Sequence, residues 1–199
     1  MLPGSPAQHE TVLARSLDVW SEHPGADAPL DVVLDSEGLE WLRSSGLPFE
    51  VLDPDLAASA AAERDRLDEL AAAKPPTPAE WFSEYRDLST IHAHLDELAA
   101  LRPDLATTET IGSSLEGRPL RAIRIGGTGQ ERVGMLVDSG LHAREWISVM
   151  VGTCIADRLV RGYDTDARLR RFVDATELVV VPVANPDGYV HSWQRDRYW

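Results

Sequence analysis

Residues 133–146 read VGMLVDSGLHAREW, and this stretch decides the fold of the larger part of the chain. Its first five residues are an apolar run, and the segment from about residue 145 to 161 has the pattern of a helix. A second apolar run, residues 178–183, follows that helix and is nearly all valine. Continuous β-branched runs separated by a helix predict parallel strands that are buried on both faces of a sheet.

His142 and Glu145 follow the first of these strands directly, and functional side chains of parallel sheets gather at such strand ends. Imidazole and carboxylate bind zinc, and a spacing of three residues lets both reach one ion from a single turn. A catalytic zinc site needs three protein ligands, so a third must come from elsewhere. The alternative is a surface turn in which Glu145 pairs with Arg144 or caps the helix. Arg144 beside a metal would suit the docking of an anionic substrate.

Three prolines among residues 75–78 mark the clearest change in composition. Prolines lack amide donors and hold a chain extended, so residues 74–80 are predicted to be a linker. It would separate a small α+β domain, residues 1–73, from a larger domain, residues 81–199. Within the small domain the pattern predicts strands at residues 30–34 and 48–52, and helices at residues 36–45 and 56–73.

The larger domain opens with a helical pattern over residues 82–101, with Ser89 as a candidate cap. Residues 107–111 and 120–125 read as two strands around a turn rich in Gly and Pro, which predicts a hairpin. Residues 185–188, Asn-Pro-Asp-Gly, are typical of a turn at the end of a strand.

Charge and composition exclude several classes of function. The chain has a net charge of −14, of which residues 1–80 hold 16 acidic and 5 basic side chains. A chain this acidic repels a phosphate backbone, so nucleic acid is not a predicted partner. No run approaches the roughly 20 apolar residues of a membrane helix, and the first ten residues lack the features of a signal peptide. Cys154 is the single cysteine, which excludes an internal disulfide framework.

Four motifs occur in an order and spacing that resemble those of the M14 zinc metallocarboxypeptidases of the carboxypeptidase A/B type. They are residues 116–119 (Glu-Gly-Arg-Pro), 142–146 (His-Ala-Arg-Glu-Trp), 185–189 (Asn-Pro-Asp-Gly-Tyr) and 197–199 (Arg-Tyr-Trp). Residues 16–70 are similar, more loosely, to the later part of the activation segment of the pancreatic-type branch. In that family the segment is a ferredoxin-like unit that lies over the active-site cleft and is removed by proteolysis.

The resemblance implies an α/β fold, an incomplete α/β/α sandwich with a mixed, mainly parallel sheet, preceded by a small partial ferredoxin-like α+β prodomain. It implies a zinc-dependent (Zn²⁺) carboxypeptidase that releases residues from the carboxyl ends of peptides or proteins in an extracellular setting. His142 and Glu145 would be zinc ligands, and Arg144 and Arg197 would bind the peptide.

This sequence departs from the family pattern by stopping at Trp199. The family's third ligand, a histidine, its glutamate base and its remaining substrate-binding groups would follow that position. His92 and His94 do not replace the histidine, since two residues apart on a helix they face different directions. No catalytic residue is therefore assigned within the chain, which we expect to be a zymogen fragment that is inactive alone. The alternative is a non-catalytic binding module or pseudoenzyme derived from the same fold.

Overall fold

The computed structural model describes residues 5–21, 28–72, 77–78, 80–126 and 132–199. The chain divides into two compact units, Met1–Ser59 and Ala60–Trp199. Of the predicted linker, Thr77, Pro78 and Glu80 are described, and the rest lies outside the described residues. The predicted domain limits at residues 73 and 81 stay a prediction.

Within its described residues, the first unit contains two short helices, the start of a third and a small two-stranded sheet. Its elements are α1 (Pro6–Leu13), β1 (Asp18–Val19), β2 (Val32–Val33) and α2 (Ser36–Ser44). The strands pair antiparallel, with Asp18 opposite Val33. Asp35 caps α2, because its side chain accepts a hydrogen bond of 2.7 Å from the amide of Gly38. The strand predicted at residues 30–34 is therefore confirmed in its centre, and the helix predicted after it is confirmed.

The strand predicted at residues 48–52 is wrong. These residues are irregular, and Val51 and Leu52 are 43% and 74% exposed. A strand is stabilised by a partner and by burial of one face, and neither is found for this segment within the described residues of the unit. Helix α1 was not predicted, although Ser5 and Gln8 form a capping box at its start.

The second unit is an α/β arrangement built on a four-stranded mixed sheet. Its elements are α3 (Leu56–Ala72, which begins in the first unit), a 3₁₀ turn (Trp81–Ser83), α4 (Leu88–Leu101), β3 (Ala106–Ser113), β4 (Pro119–Gly126), β5 (Val133–Asp138), α5 (Trp146–Gly162), α6 (Ala167–Ala175), β6 (Thr176–Val181) and α7 (Pro186–Gln194). Strand order is β3-β4-β6-β5. The predicted hairpin is confirmed as the antiparallel pair β3 and β4. The predicted parallel pair is confirmed as β5 and β6, while β4 and β6 are antiparallel, so one of the three pairings among the described strands is parallel. The predicted burial on both faces is wrong for β5, which lies at the edge of the described sheet and is mostly exposed, whereas β6 lies inside the sheet and is largely buried. The predicted α/β class with a mixed sheet is confirmed.

One face of this sheet forms the core together with α4, α5 and α6. Ile123 lies opposite Val180 and Ile125 lies opposite Leu178, and all four side chains are fully or almost fully buried. Each such side chain contributes about 1.5–3 kcal/mol by leaving water. None of the helices in the described parts of the chain is both long and apolar enough to cross a membrane.

Helix α4 begins later than predicted. The chain makes the 3₁₀ turn Trp81–Ser83 and starts the helix at Leu88. Asp87, rather than Ser89, is the cap, since its Oδ1 accepts a hydrogen bond of 2.7 Å from the amide of Thr90. An aspartate caps as well as a serine, so the local pattern allowed either choice.

A buried polar pair joins α4 to α5. His94 is 3% exposed, and its Nε2 lies 3.0 Å from Oδ2 of Asp157 on α5. Arg161 donates through Nε to the same oxygen at 2.8 Å and through Nη2 to Glu97 at 2.5 Å. The ring of Trp81 stacks on the imidazole with 4.0 Å between centroids. Burial raises the pKa of Asp157, but hydrogen bonds from His94 and Arg161 outweigh burial and leave this pKa below its usual range.

We predict that Asp157→Asn lowers the free energy of unfolding at pH 7 by about 1–3 kcal/mol. The folded pKa is depressed, so the carboxylate stabilises the fold fully above its unfolded pKa, near 4, and this contribution is lost as the pH falls through the folded pKa. The difference in the free energy of unfolding between wild type and Asp157→Asn should therefore become smaller in strong acid. Urea unfolding of both proteins at pH 7 and at pH 3 measures this difference.

The exposed pair of Arg102 and Asp104 provides the control for that prediction. Asp104→Asn removes a carboxylate that also accepts hydrogen bonds from an arginine but is solvated, so a smaller loss is expected at pH 7. Equal losses for the two variants would contradict the account of the buried pair.

Candidate metal centre

The turn between β5 and α5 lies beside the segment that follows β6. The amide of Ser139 donates to the carbonyl of Val181 at 3.0 Å, and the amide of Ala184 donates to the carbonyl of Ser139 at 2.8 Å. The amide of Asn185 then donates to the carbonyl of Gly140 at 3.1 Å. Parallel pairing therefore continues past the strand ends, and it brings the motif at residues 142–146 next to the motif at residues 185–189.

His142 and Glu145 point toward each other from this turn. Nδ1 of His142 lies 3.0 Å from Oε1 of Glu145, and the two side chains are 66% and 46% exposed. Two ligand atoms about 2.1 Å from one tetrahedral zinc ion lie about 3.4 Å apart. The observed 3.0 Å is a hydrogen-bond distance, and a small opening of the pair would bring the two atoms to that spacing. The donor types, an imidazole nitrogen and a carboxylate oxygen, also fit zinc.

The alternative role of Glu145 as a helix cap is not what the structure shows. Glu145 occupies the N-cap position of α5, yet its side chain makes no capping hydrogen bond. The cap position is stabilised instead by Ser148, whose hydroxyl donates to the carbonyl of Glu145 at 2.8 Å and accepts from the amide of Gly140 at 3.1 Å. The carboxylate of Glu145 is thus directed at His142.

A catalytic zinc site needs three protein ligands, and these two residues would supply two of them. Within the described ranges, no group of three or more His, Cys, Asp or Glu side chains is placed to hold a metal ion. His94, a histidine of α4, is buried against Asp157 and is unsuited to serve this site. The residues present therefore fit zinc as a pair.

Arg197 lies against the turn, and its guanidinium has three kinds of partner. Nη1 donates to the carbonyl of Arg144 at 2.8 Å, and Nε donates to the carboxylate of Glu63 on α3 at 2.5 Å. Its Cζ stands 3.7 Å above the ring of Trp146, a cation–π contact. Arg144 in turn donates to the carbonyl of Tyr198 at 3.1 Å. The structure thus brings both predicted substrate-binding arginines to the turn, and their role in binding a peptide stays a prediction.

The motif Asn-Pro-Asp-Gly is the start of α7 rather than a simple turn. Asn185 is the N-cap, since its Oδ1 accepts from the amide of Gly188 at 2.9 Å, and Pro186 fills the first helical position. The interpretation as a turn failed because the same residue types favour both structures.

Asp187 connects this motif to the motif at residues 116–119. Its carboxylate accepts from the hydroxyl of Ser114 at 2.7 Å, the amide of Glu116 at 3.0 Å and Nη1 of Arg118 at 2.6 Å. Desolvation raises the pKa of Asp187, but these hydrogen bonds and the positive charge of Arg118 outweigh it, so the pKa is lowered overall. Asp187 therefore stays ionised and fixes the hairpin turn against α7.

The contacts of two buried residues of α7 were not predicted from the sequence, although Tyr189 belongs to the motif at residues 185–189. Tyr189 is fully buried and donates its hydroxyl to the carbonyl of Arg86 at 2.6 Å, and burial raises the pKa of its phenol. Ser192 is 1% exposed and contacts Ala143 and Trp146 in and next to the turn between β5 and α5. These contacts join residues far apart along the chain, which periodicity and local motifs cannot reveal.

Comparison with known proteins identifies a matching family and several relatives. Residues 91–199 match the Peptidase_M14 family, described as zinc carboxypeptidase. The inactive metallocarboxypeptidase ECM14 of Saccharomyces cerevisiae is 38% identical over 123 residues, which are 60% of this chain and 29% of that protein. Carboxypeptidase B of Bos taurus is 27% identical over 199 residues, covering 96% of this chain and 46% of that protein. The chain thus spans about half or less of the length of these relatives.

Solved structures agree with the fold. Carboxypeptidase A of Helicoverpa armigera superimposes with a TM-score of 0.77 at 29% identity, covering 98% of this chain and 50% of that one. Thrombin activatable fibrinolysis inhibitor superimposes with a TM-score of 0.84 at 23% identity, covering 100% of this chain and 52% of that one. The second likeness is one of fold.

We predict that Gly140 is required for the shape of the turn between β5 and α5. Its φ is +64°, and a Cβ there would lie 2.7 Å from Cγ2 of Val149 and 3.0 Å from the carbonyl oxygen of Pro182. Gly140→Ala should lower the free energy of unfolding by about 2–4 kcal/mol, since backbone strain and overpacking add. Gly117 is the matched control, with a φ of +79° and open space around it, so Gly117→Ala should cost only about 1 kcal/mol. Equal costs in urea unfolding would show that crowding at Gly140 is unimportant.

Proposed function

Because this chain belongs to the M14 zinc carboxypeptidase family, we propose that His142 and Glu145 hold a zinc ion in a peptidase that releases residues from the carboxyl ends of peptides. The observation that carries the proposal is the 3.0 Å separation of the imidazole nitrogen and the carboxylate oxygen in a turn at the carboxyl end of β5. Glu145 is at the N-cap position of α5, but its carboxylate accepts no hydrogen bond from the helix amides and faces His142 instead. This orientation supports a role in binding a metal.

The chemistry of the proposed reaction divides between the metal and the chain. Zinc, when bound, polarises a carbonyl and lowers the pKa of bound water to roughly 7. The chain contributes the two ligands and the guanidinium groups of Arg144 and Arg197 beside them. Arginine binds carboxylate and carbonyl oxygens through a planar fork of donors, which suits the carboxyl end of a peptide. The proposed partner is therefore a peptide or protein carboxyl terminus.

His142 and Glu145 would supply two of the three zinc ligands, and the third would come from a group outside the described residues. Loss of one ligand from a three-ligand site weakens binding strongly, because each ligand contributes to the same ion. We therefore expect the 199-residue chain alone to bind zinc weakly and to hydrolyse no peptide.

A second candidate function is a non-catalytic module of the same fold. The observation that favours it is the 38% identity to a yeast metallocarboxypeptidase whose name describes it as inactive. Such a module has no need of a metal, and the contact between His142 and Glu145 would then be a simple hydrogen bond. Metal binding by this pair separates the two candidates.

Zinc titration of the 199-residue chain tests the metal site. We expect His142→Ala to weaken zinc binding at least tenfold, because the variant lacks one of two ligand atoms. His92→Ala is the matched control, since His92 lies half-buried on α4 away from the turn, and its isotherm should equal that of wild type.

Isotherms that are the same for wild type and His142→Ala would favour the non-catalytic module. A separate assay with a blocked dipeptide addresses the expected lack of activity. Hydrolysis by the purified chain that a chelator abolishes would show that the chain completes the site by itself.

We also propose that α3 keeps the site in an inactive, zymogen-like state, as in an activation segment of an extracellular peptidase. The support is the ion pair of Glu63 on α3 with Arg197, whose side chains are 25% and 14% exposed. A peptide substrate would have to displace Glu63 from this guanidinium. A nearby pair, Arg66 and Glu84, joins the same helix to the segment before α4.

The contact of Glu63 predicts a change in the reactivity of Arg197. Glu63→Gln should leave the guanidinium more open to an arginine-specific dicarbonyl reagent, since an amide holds it more weakly than a carboxylate does. Mass spectrometry of the peptide that contains Arg197 measures the rate of modification, which we expect to rise severalfold. Glu69→Gln, an exposed change on the same helix, should leave the rate unchanged. Equal rates in all three proteins would contradict a shielding role of α3.

A further inference from the structure

We infer that Ser192 is a positioning residue, which holds the turn of His142 and Glu145 in the shape that a shared metal ion requires. The inference concerns a buried hydroxyl on α7 that touches neither proposed ligand. It rests on the proposed function, because that function gives the turn a metal to bind.

The carbonyl groups of the turn are held mainly by side chains from one distant segment. The carbonyl of Leu141 accepts from Nδ2 of Asn185 at 3.2 Å, and the carbonyl of Ala143 accepts from the hydroxyl of Ser192 at 3.0 Å. The carbonyl of Arg144 accepts from Arg197, while that of His142 accepts from the amide of Glu145 at 3.2 Å within the turn. A turn between a strand and a helix has no ladder of its own, so these side chains determine its shape.

Ser192 is the most enclosed of these partners and, like Arg197, has contacts on both sides of Glu145. Its oxygen accepts a hydrogen bond of 2.8 Å from Nε1 of Trp146, the residue after Glu145. Its single proton can go to the carbonyl of Ala143, two residues before Glu145, or to the carbonyl of Tyr189 at 2.8 Å. When this proton goes to Ala143, the hydroxyl bridges the chain on both sides of the proposed ligand.

The setting of Trp146 makes this bridge stiff. Trp193 stacks on the indole with 4.4 Å between centroids and 13° between planes, and the guanidinium of Arg197 lies against it as well. Stacking restricts tilting of the indole, while the hydrogen bond to Ser192 fixes its rotation within the plane. Trp146 and Ser192 are 3% and 1% exposed, so bulk water has little access to replace a lost hydroxyl.

Removal of the hydroxyl should loosen the turn and weaken metal binding together. Groups that orient metal ligands typically change affinity by about 10- to 100-fold when they are lost. We expect Ser192→Ala to weaken zinc binding about tenfold and to speed amide hydrogen exchange in residues 141–147 about tenfold. Ser192→Thr keeps the hydroxyl and should restore both values to within about twofold of wild type.

Hydrogen exchange of the metal-free chain and zinc titration, performed on the same variants, test this inference. Thr153→Val is the matched control, because Thr153 is a fully buried residue of α5 whose hydroxyl donates to the carbonyl of Val149 at 2.8 Å, away from the turn. It removes a buried hydroxyl with little change of shape, and it should leave exchange in residues 141–147 and zinc affinity unchanged.

The two readouts separate this inference from the proposed function. Faster exchange in residues 141–147 for Ser192→Ala, with recovery in Ser192→Thr, supports the positioning role even if wild type binds no zinc, an outcome that would overturn the zinc site alone. Unchanged exchange in this segment, or the same change in Thr153→Val, would overturn the positioning role, whatever the zinc isotherms show.

Discussion

The hydrogen bonds that the carbonyl groups of Leu141, Ala143 and Arg144 accept from Asn185, Ser192 and Arg197 are the constraint on which the candidate site depends. They hold the short irregular turn between β5 and α5, which lacks the regular backbone hydrogen bonds of a strand or a helix. The imidazole of His142 and the carboxylate of Glu145 then lie 3.0 Å apart, close to the spacing of two ligands of one zinc ion. A metal site at this turn would therefore require the segment after β6 to be in place.

The fold supplies that segment through parallel pairing of β5 and β6. Both strands end at the same edge of the sheet, and three backbone hydrogen bonds extend their pairing to Asn185. Asp187 anchors the start of α7 to the hairpin turn before β4, while the buried pair of His94 and Asp157 joins α5 to α4. Helix α5, which follows its cap residue Glu145, is thus held at both ends, so small movements of its first turn are resisted from several sides.

Much of this arrangement could be predicted from local patterns. The valine-rich runs predicted β5, β6 and their parallel pairing, and the Gly/Pro turn predicted the hairpin of β3 and β4. The spacing of His142 and Glu145 predicted their convergence. Local chemistry failed where one residue type serves two structures, as with Asn185, which caps a helix, and Asp87, which replaced Ser89 as a cap. Contacts of Ser192 had no local signal, because a buried hydroxyl gains its role only from distant partners.

The most direct measurement is anomalous X-ray diffraction at the zinc edge from crystals of the chain soaked in zinc. We expect an anomalous peak about 2.0–2.2 Å from both Nδ1 of His142 and a carboxylate oxygen of Glu145. Zinc bound only at other histidines or carboxylates, with the ring of His142 and the carboxylate of Glu145 still joined by a direct hydrogen bond, would contradict it.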